Sequence, residues 1–235
     1  MRTILISGAS RGIGLNIAHK ELKEGNRISV GIRDLESLKG SAIDPKKWPE
    51  GKIIINHYDA LKKITAQNWI KNTVDEFGGF DSVINCSGVL SKVPFLYKDG
   101  DEEDILNTLN INFLAIWHLC RLSWDHLCTS GRGRIIVLVS MSGKRSKGDL
   151  AAYSSSKFAL MGLCQTMKNK GWDKNIRISA ICPSWVNTEM AQNISSLDKS
   201  SMTQPADIAE ICSTILKLPT QSVPFEIALN CNYEI

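Results

Sequence analysis

Seven short runs rich in Ile and Val recur along the chain, each set apart from the next by a longer mixed stretch. They are Thr3–Ser7, Arg27–Ile32, Lys52–His57, Ser82–Asn85, Arg134–Ser140, Ile176–Cys182 and Phe225–Leu229. Most are apolar without strict alternation, which marks strands covered on both faces by helices. Helix-like stretches fall between them, about Gly12–Lys23, Lys62–Phe77, Glu102–His126, Ala151–Lys170 and Pro205–Leu216. Gly25 stands where a helix C-terminal glycine belongs, and Pro205 suits a first helical turn. Asp34–Gly51 holds two prolines and reads as loop or a short helix. Strand–helix alternation from end to end predicts an α/β fold with a parallel sheet.

Length and composition narrow this further. A chain of 235 residues fits one α/β domain, residues 1–235, of the Rossmann type: a doubly wound parallel sheet of about seven strands with helices on both faces. A domain of that size buries roughly 70–75% of its unfolded surface and needs neither disulfide nor metal. With 43% hydrophobic and 22% charged residues, disorder, collagen and coiled coil are excluded. No apolar run approaches the roughly 18 residues of a membrane helix. Gly8 and Ser10 interrupt the first apolar run too early for a signal peptide. The expectation is a soluble, cytoplasmic protein with no membrane partner. The +4 net charge is spread along the chain, which argues against a nucleic-acid partner.

The seven cysteines are odd in number and contain no Cys-x-x-Cys pair, so they read as reduced, mostly buried thiols. His118-x-Cys120 and His126-x-Cys128 resemble ligand pairs, but eight helical residues rise about 12 Å. Zinc bonds of about 2.0–2.3 Å do not span that. No metal is expected.

Thr3–Ser7 runs directly into Gly8-Ala-Ser-Arg-Gly12-Ile-Gly14, which opens a helix. Such a turn needs glycine so that the backbone can approach a pyrophosphate lying on the helix N-terminus. The spacing is one residue longer than the common dinucleotide fingerprint, and no Gly-Lys-Ser/Thr of a P-loop follows. Arg33 and Asp34 end the next strand. A carboxylate about 20 residues past the glycines holds the ribose of NAD, and an arginine there accommodates the 2′-phosphate of NADP. Counting leaves both open. Arg11, within the loop, reaches the same corner, and two guanidiniums suit a phosphate dianion.

Tyr153 and Lys157 lie four apart on a predicted helix, hence on one face. A phenol with a pKa near 10 needs a nearby ammonium to act as acid and base around neutrality. Ser140 ends a predicted strand thirteen residues before Tyr153. Ligands of open α/β sheets bind beyond such strand ends.

Together, Gly8-x₃-Gly12-x-Gly14, Asp59, Asn85-Cys-Ser-Gly88, Asn112, Ser140, Tyr153-x₃-Lys157 and Pro183-Ser-Trp-Val-Asn-Thr188 resemble the short-chain dehydrogenase/reductase family in order and spacing. The resemblance runs from the first strand to about Thr188. It implies Tyr153 as general acid/base and Lys157 as the group that lowers its pKa and holds the nicotinamide ribose. It implies Ser140 as orienter of the substrate carbonyl and Asn112 as support for a water-mediated proton relay. For the cofactor it implies Gly8, Ser10, Arg11, Gly12, Ile13 and Gly14 at the phosphates, Asp59 at adenine, and Asn85 and Gly88 along the cleft. Pro183, Val186 and Thr188 would then meet the nicotinamide. Arg33 after Ile32, with Arg11 in the loop, matches NADPH users, so the implied cofactor is NADPH (NADP+) rather than NADH.

The resemblance breaks in three places. Ser184 stands where the family has glycine, only sixteen residues separate Thr188 from Pro205, and the last residues lack the family's aspartate–glycine–glycine ending. The short segment should leave the pocket open on one side, and a dimer becomes the expected homo-oligomer, with a tetramer as the alternative. Trp117 and Trp124 could both pack in a dimer seam or in the core. The expected activity is interconversion of a small-molecule carbonyl and an alcohol. The rival reading is a catalytically silent NADP(H)-binding regulator or scaffold on the same fold.

Overall fold

The computed structural model describes residues 1–146, 148–192 and 197–232. Each Ile- and Val-rich run forms a strand: β1 (Thr3–Ser7), β2 (Arg27–Ile32), β3 (Ile53–His57), β4 (Ser82–Asn85), β5 (Arg134–Leu138), β6 (Arg177–Pro183) and β7 (Glu226–Leu229). All pair in parallel in one sheet of order β3-β2-β1-β4-β5-β6-β7. The helices are α1 (Gly12–Lys23), α2 (Lys63–Phe77), α3 (Glu102–Leu109), α4 (Ala115–Thr129), α5 (Ala151–Gly171), α6 (Glu189–Gln192) and α7 (Pro205–Lys217).

Two cores explain why the strands are apolar on both faces. Ile4, Ile6, Ile28, Val30, Ile84 and Ile136 pack with Ile17 and Leu22 of α1 and Ile208, Cys212 and Ile215 of α7. Leu5, Val83, Ile135, Val137 and Ile178 face the other way, onto Trp69 of α2, Leu119 of α4 and Leu160 and Cys164 of α5. Alternate residues of β1 thus enter opposite cores, as the period of a strand requires. The strand order reverses between β1 and β4, and there the crevice of a doubly wound sheet opens.

Several boundaries differ from the sequence expectation. The predicted helix Glu102–His126 is α3 and α4 joined by a π-turn, Asn110–Leu114. Asn112 in that turn is pinned to Val89, and the extra residue absorbs the mismatch between helix and clamp. Strand β5 stops at Leu138, so Ser140 belongs to the following turn. Asp34–Gly51 folds into two 3₁₀ turns, Leu35–Leu38 and Pro45–Lys47, whose first amides are capped by Asp34 and Asp44. Trp124 packs against the α2–α4–α5 core, whereas Trp117 is 47% exposed. Among the described residues, no helix is long and apolar enough to cross a membrane.

Candidate active site

The glycine loop leaves β1 and turns into α1 beneath the strand-order reversal. A Cβ on Gly14 would lie 2.3 Å from the Gly8 carbonyl oxygen, so only glycine lets the helix start fold against the strand end. No side chain caps α1, and its first turn has no acid. Its first amide groups therefore retain their hydrogen-bonding capacity and positive dipole end for an anion.

A cleft of about 270 Å³ opens over this helix start. Gly8, Ser10, Arg11, Gly12, Ile13, Gly14, Arg33, Asp59, Gly88 and Thr188 all line it. Of the adjacent Arg33 and Asp34, the arginine lines the cleft, while the Asp34 carboxylate accepts from the Glu36 amide at 3.0 Å. Arg11 departs from expectation. Its Nη1 lies 2.6 Å from Oε2 of Glu189, so its guanidinium already holds a carboxylate. Both side chains are well exposed, and such a pair contributes little to stability. Asp59 accepts from the Leu61 amide at 3.0 Å on the lip of the cleft.

A second cavity, about 220 Å³, shares Ile13, Thr188, Met190 and the 86–89 wall with the first, so the two are continuous. Ser140, Tyr153, Lys157, Pro183, Val186 and Thr188 line it. Two separate elements bring the polar groups together: the turn after β5 supplies Ser140, and the first turns of α5 supply Tyr153 and Lys157. The Ser140 hydroxyl lies beside the Tyr153 phenol and accepts from the Ser142 amide at 3.0 Å. Lys157 is buried, donates from Nζ to the Leu138 carbonyl at 3.0 Å, and sits 5.7 Å from the centre of the Tyr153 ring.

Electrostatics correct one expectation. Burial lowers Lys157 to about 8, with the nearby Cys164, Cys182 and Cys86 acting in the opposite sense. Burial pushes the Tyr153 phenol above its ordinary value, and the Ser140 hydroxyl beside it only partly offsets this. Lys157 is not among the groups that lower the phenol, and its ammonium donates to the Leu138 carbonyl instead. Near neutrality Tyr153 keeps its proton.

Asn85 and Asn112 lie behind the wall and line neither cavity. Asn85 is fully buried and donates to the Cys120 sulfur at 3.5 Å, which ties β4 to α4. The Asn112 amide accepts from the Val89 amide at 2.8 Å and donates to the Val89 carbonyl at 2.9 Å and to Ser156 Oγ at 3.1 Å. Both side chains hold the wall in place from behind. Residues that sequence reasoning left out are Tyr58, Ile111, Glu189 and Met190 in the cleft and Arg145 in the second cavity. Cys86, within the Asn85–Gly88 segment that the resemblance sets along the cofactor, lines both, with burial pushing it up to about 12. Tyr58 directly follows β3, so its place just past a strand end was an available signal.

The chain matches the family described as short chain dehydrogenase over residues 2–199. An agropine synthesis reductase of Rhizobium rhizogenes is 34% identical over 219 residues, which is 93% of this chain and 50% of that protein. The chain therefore spans about half the length of that relative. An acetoacetyl-CoA reductase of Allochromatium vinosum is 25% identical over 218 residues, 88% of each chain. Among solved structures, an alcohol dehydrogenase from the archaeon Thermococcus sibiricus, complexed with 5-hydroxy-NADP, superposes with a TM-score of 0.87 at 25% identity. The superposition covers 100% of this chain and 98% of that one. With the glycine loop, the Ser140–Tyr153–Lys157 cluster and a seven-stranded parallel sheet all in place, the chain belongs to the short-chain dehydrogenase/reductase family.

Proposed function

We propose that this chain is an NADPH-dependent oxidoreductase that interconverts a carbonyl and an alcohol, with Tyr153 as general acid/base. The observation that carries the reading is the meeting of the Ser140 hydroxyl, the Tyr153 phenol and the Lys157 amine in one cavity, continuous with the cleft over the glycine loop. The pyrophosphate would rest on the uncapped start of α1, the adenine by Asp59, and the 2′-phosphate on Arg33. Arg11 joins Arg33 only by exchanging Glu189 for the phosphate. Pro183, Val186 and Thr188 would meet the nicotinamide end, and Tyr153 and Lys157 its ribose. When bound, the nicotinamide supplies the hydride. Ser140 orients the carbonyl oxygen, and Tyr153, protonated near neutrality, donates to it. That protonation suits reduction. Asn112 contributes by holding the Val89 backbone.

The assembly is a homodimer in this reading. Leu106, Leu114 and Trp117 along α3–α4, with Phe158 on α5, are large apolar side chains left exposed.

Thermal-shift titration tests the cofactor: NADPH should raise the melting temperature at lower concentration than NADH, because a ligand bound only by the folded state stabilises it. Tyr153→Phe should lower turnover roughly 10²- to 10⁴-fold with NADPH affinity retained. Equal response to both nucleotides would reject the NADPH preference. Undiminished turnover in Tyr153→Phe would reject the role of the phenol.

A further inference from the structure

The cleft over the glycine loop contains a carboxylate seated on one of its own cations. Among its described lining residues the cationic side chains are Arg11 and Arg33, and the acidic ones are Asp59 and Glu189. Asp59 is occupied locally, by the Leu61 amide at 3.0 Å and by Lys62, whose Nζ lies 3.9 Å away. Glu189 instead accepts from Arg11, Nη1 to Oε2 at 2.6 Å, across 178 positions of sequence.

Backbone contacts set this meeting from both sides. Arg11 is the extended residue just before α1, and its carbonyl accepts from the Leu15 amide at 3.3 Å. Residues 185–188 are fixed against Thr203: its amide donates to the Trp185 carbonyl at 3.1 Å, and its carbonyl accepts from the Asn187 amide at 2.9 Å. Thr188 then closes on the loop, so that a Cβ on Gly12 would lie 3.3 Å from the Thr188 Cγ2. Glu189, next in the chain, is thereby carried to the residue that precedes the uncapped helix start.

A carboxylate and a phosphate make the same demand on a guanidinium, forked donors and opposite charge. Glu189 therefore takes up donors that Arg11 would give to a 2′-phosphate, and its negative charge opposes a dianion placed beside it. NADH carries no 2′-phosphate and leaves the pair as it stands. Because both side chains are exposed, the pair is weak enough for a phosphate to displace.

We propose that Glu189 is a specificity-determining residue for the nucleotide: its carboxylate competes with the 2′-phosphate for Arg11 and narrows the margin of NADPH over NADH. The inference rests on the NADPH reading above and adds an opposing determinant to the same site.

Dissociation constants for NADPH and NADH, measured by nucleotide fluorescence at one ionic strength, test it. Glu189→Gln keeps the length of the side chain and removes its charge. The ratio Kd(NADH)/Kd(NADPH) should rise roughly two- to fivefold over the wild type, the strength of an exposed ion pair written as a ratio. Introduced into Arg11→Met, the same substitution should leave the ratio nearly where Arg11→Met put it, because the cation it acts through is gone. A ratio unmoved or lowered by Glu189→Gln overturns the proposal. So does a rise of equal size in the Arg11→Met background, since Glu189 would then repel the phosphate without competing for the arginine.

Tighter binding of NADH than of NADPH by the wild type would refute the NADPH reading alone, and Glu189 is then judged by the same two changes in ratio. A wild type that binds neither nucleotide overturns both.

Discussion

Lys157 has given up most of the water that would stabilise its charge, and this makes it measurable as well as functional. Its ordinary value of 10.5 is lowered to about 8 in the folded protein. Between those values the unfolded chain binds a proton that the folded chain does not, so the contribution of this residue to stability rises with pH across the window. Lys157→Met lacks the penalty for a buried charge. Its stability advantage over the wild type is expected to be largest at pH 7 and to shrink by about 2–4 kcal/mol toward pH 10. Urea midpoints of both proteins at several pH values measure this, and a constant gap would reject it. Taking the difference cancels the cysteines, which titrate alike in both.

The separation of Ser140, Tyr153 and Lys157 along the chain was readable because helix geometry and strand ends translate spacing into place. The direction of a side chain was not. Asn85 faces α4 and Asn112 faces Val89, and the partner of Arg11 lies 178 positions away, where no local pattern records it.

At the scale of elements, α1 and α7 share a core, and Glu21 is buried between them. Burial raises its carboxyl above the ordinary 4.5, while the hydrogen bond from Asn26 and the nearby Ser213 hydroxyl pull it back. The folded state holds this proton to higher pH than the unfolded chain, so its contribution to stability is present below pH 4.5 and is lost as pH rises through the folded value. Glu21→Gln keeps an acceptor for Asn26 and removes the charge. It should stabilise the protein by about 1–2 kcal/mol at pH 7. The gain should vanish near pH 4, as thermal melts at the two pH values would record. Equal gains at both would sink the argument.

The strands and helices themselves were legible from apolar runs and their periods. The π-turn was not, because the apolar period of residues 102–129 runs on through it. What creates the extra residue is the clamp on Val89, a contact between distant segments. The end of β5 was overrun by two residues because Val139 is as apolar as the strand before it.

For the whole molecule, alternation of strand and helix predicts the sheet and its two covers, while strand order depends on which crossovers turn left or right of β1. The proposed homodimer would cover the exposed Leu106, Leu114 and Trp117, and sequence alone could not separate Trp117 from the partly buried Trp124. Trp117→Glu is expected to convert a dimer to a monomer in light scattering across a concentration series, with melting of the isolated subunit little changed. A monomeric wild type, or a dimer that survives the substitution, would remove this face from consideration.

All seven strands point one way. The turns at 24–26, 78–81, 130–133 and 175–176 return the chain from helices to strands along one rim of the sheet. The glycine loop, Arg33, Asp59, Ser140 and Thr188 all follow strand ends on the opposite rim. Shape and chemistry are thus written at opposite poles of the same strands: one pole can diversify its contacts with small molecules while the other keeps the architecture that aims them.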